Sequence, residues 1–433
     1  MTGRPFPLPL HLFAAVLVAA ASLPLGAPLR AQPAQADKPA QATPSKAPNP
    51  AEAQKPPEAT KPAEAPKPAE AQKPETPAPG KAAEKPLDEK TPAEKPTADK
   101  PWVTLAPLPQ PATDLAGVAV NGKLYLFGGL DGIRPSGLAF EYDAATDSWT
   151  KKKPMPVNLH RFAVAAYGDR IYLFGGFKYP DNGANAWQPV DTAWRYDPAS
   201  DEWTALAPMP GGKRGAASAA VVDGKIFVIG GATTQPDTKD TAIEAKRRHA
   251  IVGAVEEYDP KANSWRVRTA LPTPRAQAAV AVVAGKIYVI GGRIASAFAE
   301  DASDTDVVEG YDPARDLWSR PLAKMPAPRS AMGVASWRNR IVIAGGETTD
   351  ARGTVSASDA VASYEPETNA WRALATLPAA RRGIATGLIG DRLYVAGGAA
   401  MPLAAPAAGD STKKIEAPAG RATLETLQLD VLR

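Results

Sequence analysis

Six glycine doublets set the periodicity of this chain: Gly128-Gly129, Gly175-Gly176, Gly230-Gly231, Gly291-Gly292, Gly345-Gly346 and Gly397-Gly398. Their first members stand 47, 55, 61, 54 and 52 residues apart, the range in which a fixed period signals one supersecondary unit repeated. Each doublet ends an apolar run that carries Tyr125, Tyr172, Phe227, Tyr288, Val342 or Tyr394 three positions before it. Downstream comes an aromatic-acid pair: Tyr142-Asp143, Tyr196-Asp197, Tyr258-Asp259, Tyr311-Asp312 and Tyr364-Glu365. A tryptophan follows each of these tyrosines by seven residues, at Trp149, Trp203, Trp265, Trp318 and Trp371. An apolar-Pro pair closes each unit, as in Met155-Pro156 and Leu271-Pro272.

Four strand-like runs fit in a unit. In the third they are Ala216–Val222, Lys225–Ile229, Ala254–Tyr258 and Ser264–Ala270. Asn121-Gly122 and Asp223-Gly224 separate the first two runs in their units, supplying the positive φ angles of a two-residue hairpin. The glycine doublet suits a strand end where a side chain would strike neighbouring backbone. The Tyr and Trp of one unit offer flat apolar faces to the next, with an O–H and an N–H left to find partners. Glycine doublet, Tyr-Asp and Trp at fixed spacing resemble the kelch motif from Trp102 to Arg433. The resemblance implies a β-propeller with one four-stranded blade per repeat.

The last doublet is followed by one more strand, Thr423–Val431, with Leu429-Asp430 in the Tyr-Asp place and no tryptophan after it. The missing piece stands at the other end, where Trp102 precedes Leu108-Pro109 as in the complete units. The expectation is an all-β, six-bladed kelch propeller over 101–433, closed by its N-terminal strand.

Residues 1–36 read as a Sec-type, bacterial-type signal peptide: Arg4, an uninterrupted apolar core from Leu12 to Ala21, and Ala34-Gln35-Ala36 as the small-residue cleavage site. That core is short for a bilayer span, so a membrane enters only if the segment is retained uncleaved. Residues 37–100 form a Pro/Ala/Lys/Glu-rich linker. Leu87 is the single Val, Ile, Leu or aromatic residue between Ala31 and Lys100, too little apolar surface to offset the entropy of ordering. The expected location is periplasmic or secreted.

Charge narrows the partners. Lysines and acids cancel in the linker, and from Pro101 onward 37 Lys plus Arg face 35 acids. The sequence pI near 9.0 is therefore no nucleic-acid footprint. With no cysteine and three histidines, thiol chemistry is excluded and no metal or other cofactor is expected.

The loops after each doublet and the segments leading into each first strand share one face of such a blade. An arginine stands sixteen residues before four doublets, at Arg214, Arg275, Arg329 and Arg381; the second unit has Leu159 there with Arg161 two places on, and the first has Ala112, then Asp114. Arginines around an axial mouth can fork onto carboxylates, and the resemblance to eukaryotic kelch adaptors implies a peptide-binding mouth at this place. The alternative is that they salt-bridge neighbouring loops. Glu347 and Arg352 in the fifth unit and Trp187 in the second complete the expected ligand-binding set.

Among enzymatic kelch relatives, galactose oxidase requires a cysteine-modified tyrosine, which this chain cannot supply. Similarity to the bacterial sialic acid mutarotase (N-acetylneuraminate epimerase) would place acid-base work on Glu244 and Arg248. The reading from sequence is an exported binding module with a protein, peptide or acidic glycan at the mouth. The alternative is a periplasmic sugar mutarotase.

Overall fold

The structure is a computed structural model describing residues 101–131, 134–184, 186–244, 249–294, 304–349, 354–400 and 420–430. The expected signal peptide (1–36), the linker (37–100), Arg248 and Arg352 lie outside the described residues. Six four-stranded antiparallel sheets make up the framework. Blade one runs Ala116–Val120, Lys123–Phe127, Ala139–Asp143 and Ser148–Lys151. Blade two runs Ala163–Tyr167, Arg170–Phe174, Ala193–Asp197 and Glu202–Leu206, and blade three runs Ser218–Val222, Lys225–Ile229, Val255–Asp259 and Ser264–Val267. Blade four is Ala279–Val283, Lys286–Ile290, Val308–Asp312 and Leu317–Trp318. Blade five is Gly333–Trp337, Arg340–Ala344, Val361–Glu365 and Ala370–Ala373. Blade six takes Ala385–Ile389, Arg392–Ala396 and Leu424–Gln428 from the C-terminal side and Trp102–Thr104 from the other end of the domain. First strands of successive blades touch all the way round, blade six against blade one included, so the ring is closed as expected.

Each junction has its own apolar core. Leu124, Phe140 and Tyr142 of blade one pack on Tyr394 and Leu424 of blade six, and Phe127 of blade one packs on Tyr196 of blade two. The glycine doublets permit this approach: Gly175 has φ 62°, and a Cβ there would sit 2.3 Å from the Arg214 carbonyl oxygen of the next blade.

The Tyr-Trp spacing resolves into a clamp repeated at five junctions. Within each of blades one to five the two rings stack at a tilt, as in Tyr258 and Trp265 with centroids 4.8 Å apart. Trp265 Nε1 donates to the carbonyl of Ala207 in the preceding blade at 2.8 Å. Asn263, five residues after Tyr258, accepts both the tyrosine hydroxyl at 2.7 Å and the Ala207 amide at 2.9 Å. Asp147, Asp201, Asp316 and Asn369 do the same in the other four blades. All five acceptors hold φ between 49° and 55°, a left-handed conformation that Asn and Asp tolerate better than other side chains.

Blade six departs from the rule, and its register corrects one expectation. Trp102 pairs with Leu427 as Trp149 pairs with Tyr142, so Leu427-Gln428, not Leu429-Asp430, occupies the Tyr-Asp place. Position is set by pairing with the second strand, where Leu393 faces Leu427 as Leu124 faces Tyr142. With leucine in the tyrosine place no hydroxyl is offered, and this junction is apolar, built on Trp102, Leu427 and Leu429.

Candidate functional site

The residue after each doublet bridges back to the segment leading into its own blade: Thr113 to Leu130, His160 to Phe177, Gly215 to Ala232, Ala276 to Arg293, Ser330 to Glu347 and Arg382 to Ala399. The two sets of loops therefore share one face, as the sequence reading required. On that face the arginines separate into two kinds.

Arg214, Arg275, Arg329 and Arg381 are 0–3% exposed. Their carbonyls accept from the second glycine of the preceding blade's doublet, at 2.8–3.1 Å. Their guanidinium groups turn into their own blades. Arg214 lies 2.6 Å from Glu256, Arg275 2.5 Å from Glu309 and Arg381 2.6 Å from Glu425. Each glutamate is two residues before the Tyr place of its blade. Where the arginine is absent, the glutamate place holds Phe140 in blade one and Trp194 in blade two. Arg329 faces Ala362 instead; it donates to the Gly345 and Ala360 carbonyls at 2.9 Å, and burial pulls its pKa down to about 10. The expectation of ligand contact at these four positions is revised on physical grounds. A partner cannot reach a buried, internally paired guanidinium while the blade is intact, so these side chains are braces.

Two residues further along, the chain reaches the axis. Asp114, Arg161, Ala216, Gln277, Ala331 and Gly383 all hold φ between 51° and 60°. Five backbone bonds join them in series around the axis: Asp114 N donates to Gly383 O, Gly383 to Ala331, Ala331 to Gln277, Gln277 to Ala216 and Ala216 to Arg161, at 2.6–3.1 Å. All six line one axial cavity. The backbone is the same six times over; the side chains are not. Asp114, Arg161 and Gln277 make part of the lining polar, and Ala216, Ala331 and Gly383 leave the rest small.

From this ring a chain of alternating charges crosses the mouth. Arg161 lies 3.2 Å from Asp114, which is 3.3 Å from Arg382. Arg382 is 3.2 Å from Glu347, Glu347 is 2.9 Å from Arg293, and Arg293 is 3.4 Å from Asp304. Burial alone would raise the Asp114 pKa, but Arg161 and Arg382 outweigh it and bring it down to about 2. His160, wholly buried beside this pair, has its pKa lowered to about 3 by burial and then by Arg161, so it is neutral.

The loops of blades two and three form a wall on one side of the mouth. Phe177–Lys178, Ala186–Pro189 and Ile243–Glu244 join in a three-stranded sheet. Within it Trp187 is half-buried, with the Arg161 guanidinium 5.0 Å from its ring centroid and His160 edge-on at 4.7 Å. Behind Trp187, Phe177, Ile243 and Ile251 pack with Ala216, Ala232 and Ala276 in a small apolar core, with His249, Arg161 and Arg293 on the boundary of a narrow cavity beside it. Glu244 is exposed on the wall and lines neither cavity. Among the described residues no group of three or more His, Cys, Asp or Glu is placed to hold a metal.

Of the expected binding residues, then, Arg161, Glu347 and Trp187 come together at the mouth. The sequence reading missed Gln277, Arg293 and Arg382, and did not select Asp114 or His160. The signal was in the repeat: the place two past the brace arginine and the place just after the doublet change from unit to unit while everything around them stays fixed.

Comparison with known proteins finds the kelch motif over residues 111–156, 159–210 and 274–321. The chain is similar to Kelch-like protein terF of Aspergillus terreus, 28% identical over 193 residues that make up 44% of this chain and 39% of that protein. It is 27% identical over 235 residues to mouse Kelch-like protein 35, covering 47% of this chain and 38% of the relative, and 28% identical over 194 residues to human Kelch-like protein 23, covering 45% and 30%. The match thus spans two fifths or less of the length of each of these relatives. A solved structure described as "Structure of YjhT" superposes with a TM-score of 0.59 at 19% identity, over 74% of this chain and 95% of that one, and so shares the fold.

Proposed function

We propose that this chain, a kelch-repeat β-propeller, is a binding module that takes an anionic group of a protein or peptide partner at its axial mouth. The observation that carries the reading is the polar part of the axial lining, where an arginine and a glutamine each keep a buried atom with no hydrogen-bond partner among the described residues. Arg161 Nε and Gln277 Oε1 belong to residues that line the axial cavity. Folded proteins pair nearly all such groups, and atoms of this kind on a cavity wall are where a ligand's polar atoms complete the pairing.

The charge order favours an anion. The alternating chain ends on Arg161 at the cavity, and Asp114 alone serves both Arg161 and Arg382. A carboxylate arriving at Arg161 extends the alternation, whereas a cation would meet two guanidinium groups. Export is part of the same proposal and is supported by the N-terminal sequence, with Arg4, the apolar core from Leu12 to Ala21 and Ala34-Gln35-Ala36.

The test is thermal melting of the full chain with an acidic peptide and with its amide counterpart. A ligand confined to the folded state at about 100 times its Kd stabilises by about 2.7 kcal/mol. The acidic peptide should raise Tm and its amide should not, and Arg161→Gln should abolish the difference between the two peptides, each shift being read against that variant's own unliganded Tm. Equal shifts with both peptides would refute the anionic reading. The sugar-active alternative rests on Glu244 and Arg248, and acid-base work there would show as anomer exchange by the full chain that is lost in Glu244→Gln.

A further inference from the structure

Among the described residues that line the axial cavity, the charged ones are Asp114 and Arg161, of opposite sign and 3.2 Å apart. Gln277 and Ser218 are neutral polar members, and the Ser218 hydroxyl is spent on the Ala278 carbonyl at 2.7 Å. The backbone around the axis offers an anion little more. The amides of Asp114, Ala216, Gln277, Ala331 and Gly383 already donate to the carbonyls of the same series. Behind the lining, the guanidinium groups of Arg161, Arg382 and Arg293 alternate with the carboxylates of Asp114, Glu347 and Asp304, so the charges of this network balance.

We propose that this mouth takes a singly charged carboxylate, that of an aspartate or glutamate side chain, and rejects the doubly charged phosphate of a phosphorylated residue. The inference rests on the anionic reading of the mouth and adds the class of anion to it. A phosphate monoester carries close to two negative charges near neutral pH, and proteins hold it with clusters of arginines or nests of backbone amides. Here one arginine reaches the cavity, and the carboxylate that fixes it lies on the same wall. Asp114 does not yield by taking up a proton: against its burial, Arg161 and Arg382 bring its pKa down to about 2. Nor do the nearby imidazoles add positive charge, since burial and then Arg161 lower the pKa of His160 to about 3 and of His249 to about 4. One negative charge is met by Arg161. A second stands against Asp114 with no further cation in the described lining, and like charges so placed lower affinity by about tenfold or more. Phosphorylation of the partner at the place that is read therefore releases it.

The experiment uses peptide arrays with randomised flanks around one fixed place, filled by glutamate, glutamine or phosphoserine, and probed with the full chain at about pH 7.5 and about pH 5.5. Glutamate peptides should be retained at both, because their carboxylates stay ionised. At the higher pH phosphoserine should bind about tenfold or more weakly than glutamate in the same flanks. At the lower pH, below the second phosphate pKa of about 6, most of the phosphate carries a single charge, and its binding should rise severalfold. Asp114→Asn removes the like charge and should narrow the gap at the higher pH; should that variant melt low, the pH comparison on the unaltered protein decides alone. Phosphoserine equal to or above glutamate at the higher pH overturns this inference and spares the anionic mouth. A phosphoserine signal that stays low at the lower pH also overturns it, since charge would then not be what excludes the phosphate. Glutamate retained no better than glutamine overturns the anionic mouth itself.

Discussion

The rim and the mouth of this propeller obey different rules. At the rim, Trp265, Asn263 and Tyr258 hold Ala207 by the same bonds with which Trp149, Asp147 and Tyr142 hold Ala106. At the mouth, the backbone repeats with equal fidelity through the six left-handed residues, yet their side chains run from aspartate to arginine to glycine. Blade-to-blade packing poses the same physical problem each time and receives the same answer. The axis is one place reached by six loops, so identical side chains would meet there as copies: six arginines would repel, and six glutamines would crowd. The repeat supplies the scaffold, and its violations supply the chemistry.

That contrast can be broken at its strongest point in the braces. Arg275→Ala should leave Glu309 buried without its cation and cost about 3–5 kcal/mol, whereas replacing both by apolar residues of similar volume should restore much of the loss. Denaturant unfolding of the single and double variants decides it, and an unfolding midpoint unchanged by Arg275→Ala would return that arginine to the ligand-facing set. A clamp is the next largest effect. Asn263→Ala strips the acceptor from the Tyr258 hydroxyl and the Ala207 amide and should cost about 1–3 kcal/mol in the same measurement. The smallest effect sharpens the mouth side. The unfolded chain binds a proton at His160 near pH 6.5, while the folded protein refuses it until about pH 3. Stability contributed by the neutral imidazole is thus complete above pH 6.5 and declines as pH falls, by about 1.4 kcal/mol per unit at most. His160→Gln should remove that part of the slope between pH 6.5 and 5; unchanged slopes would mean that the imidazole is not held neutral.

The same division governs what could be read without coordinates. Gly-Gly, Tyr-Asp and Trp are periodic because packing is periodic, so blade number, strand order and the closing role of Trp102 were legible. The sixteen-residue spacing also found Arg214, Arg275, Arg329 and Arg381, but periodicity is itself the mark of a structural role. Their partners Glu256, Glu309 and Glu425 share a period too, two places before the Tyr position, and in three of the four units that pairing marks the arginine as a brace, while Arg329, with Ala362 at that place, is held by carbonyls alone. Arg382 and Arg293 have no counterpart in other units. They meet through Glu347 once blades four, five and six pack side by side, which no single-unit comparison contains. The Leu429 assignment failed for a local reason: a neighbouring acid imitated the motif, while strand pairing placed Leu427 opposite Trp102.

The pairing of Trp102–Thr104 with Leu424–Gln428 also sets a schedule for synthesis. A ribosome delivers the first of these strands near the start of the domain and the second at its very end. Until blade six is made, the face of blade one that belongs against it, with Leu124, Phe140 and Tyr142, has only part of its cover, from Leu105, Ala106 and Leu108 of the preceding segment. Blades can therefore form in order of their appearance, but the newborn protein stays sticky on one flank until its final strand emerges. A stall in translation late in the message would leave a nearly finished propeller in need of a chaperone, whereas the same delay after release would do no harm.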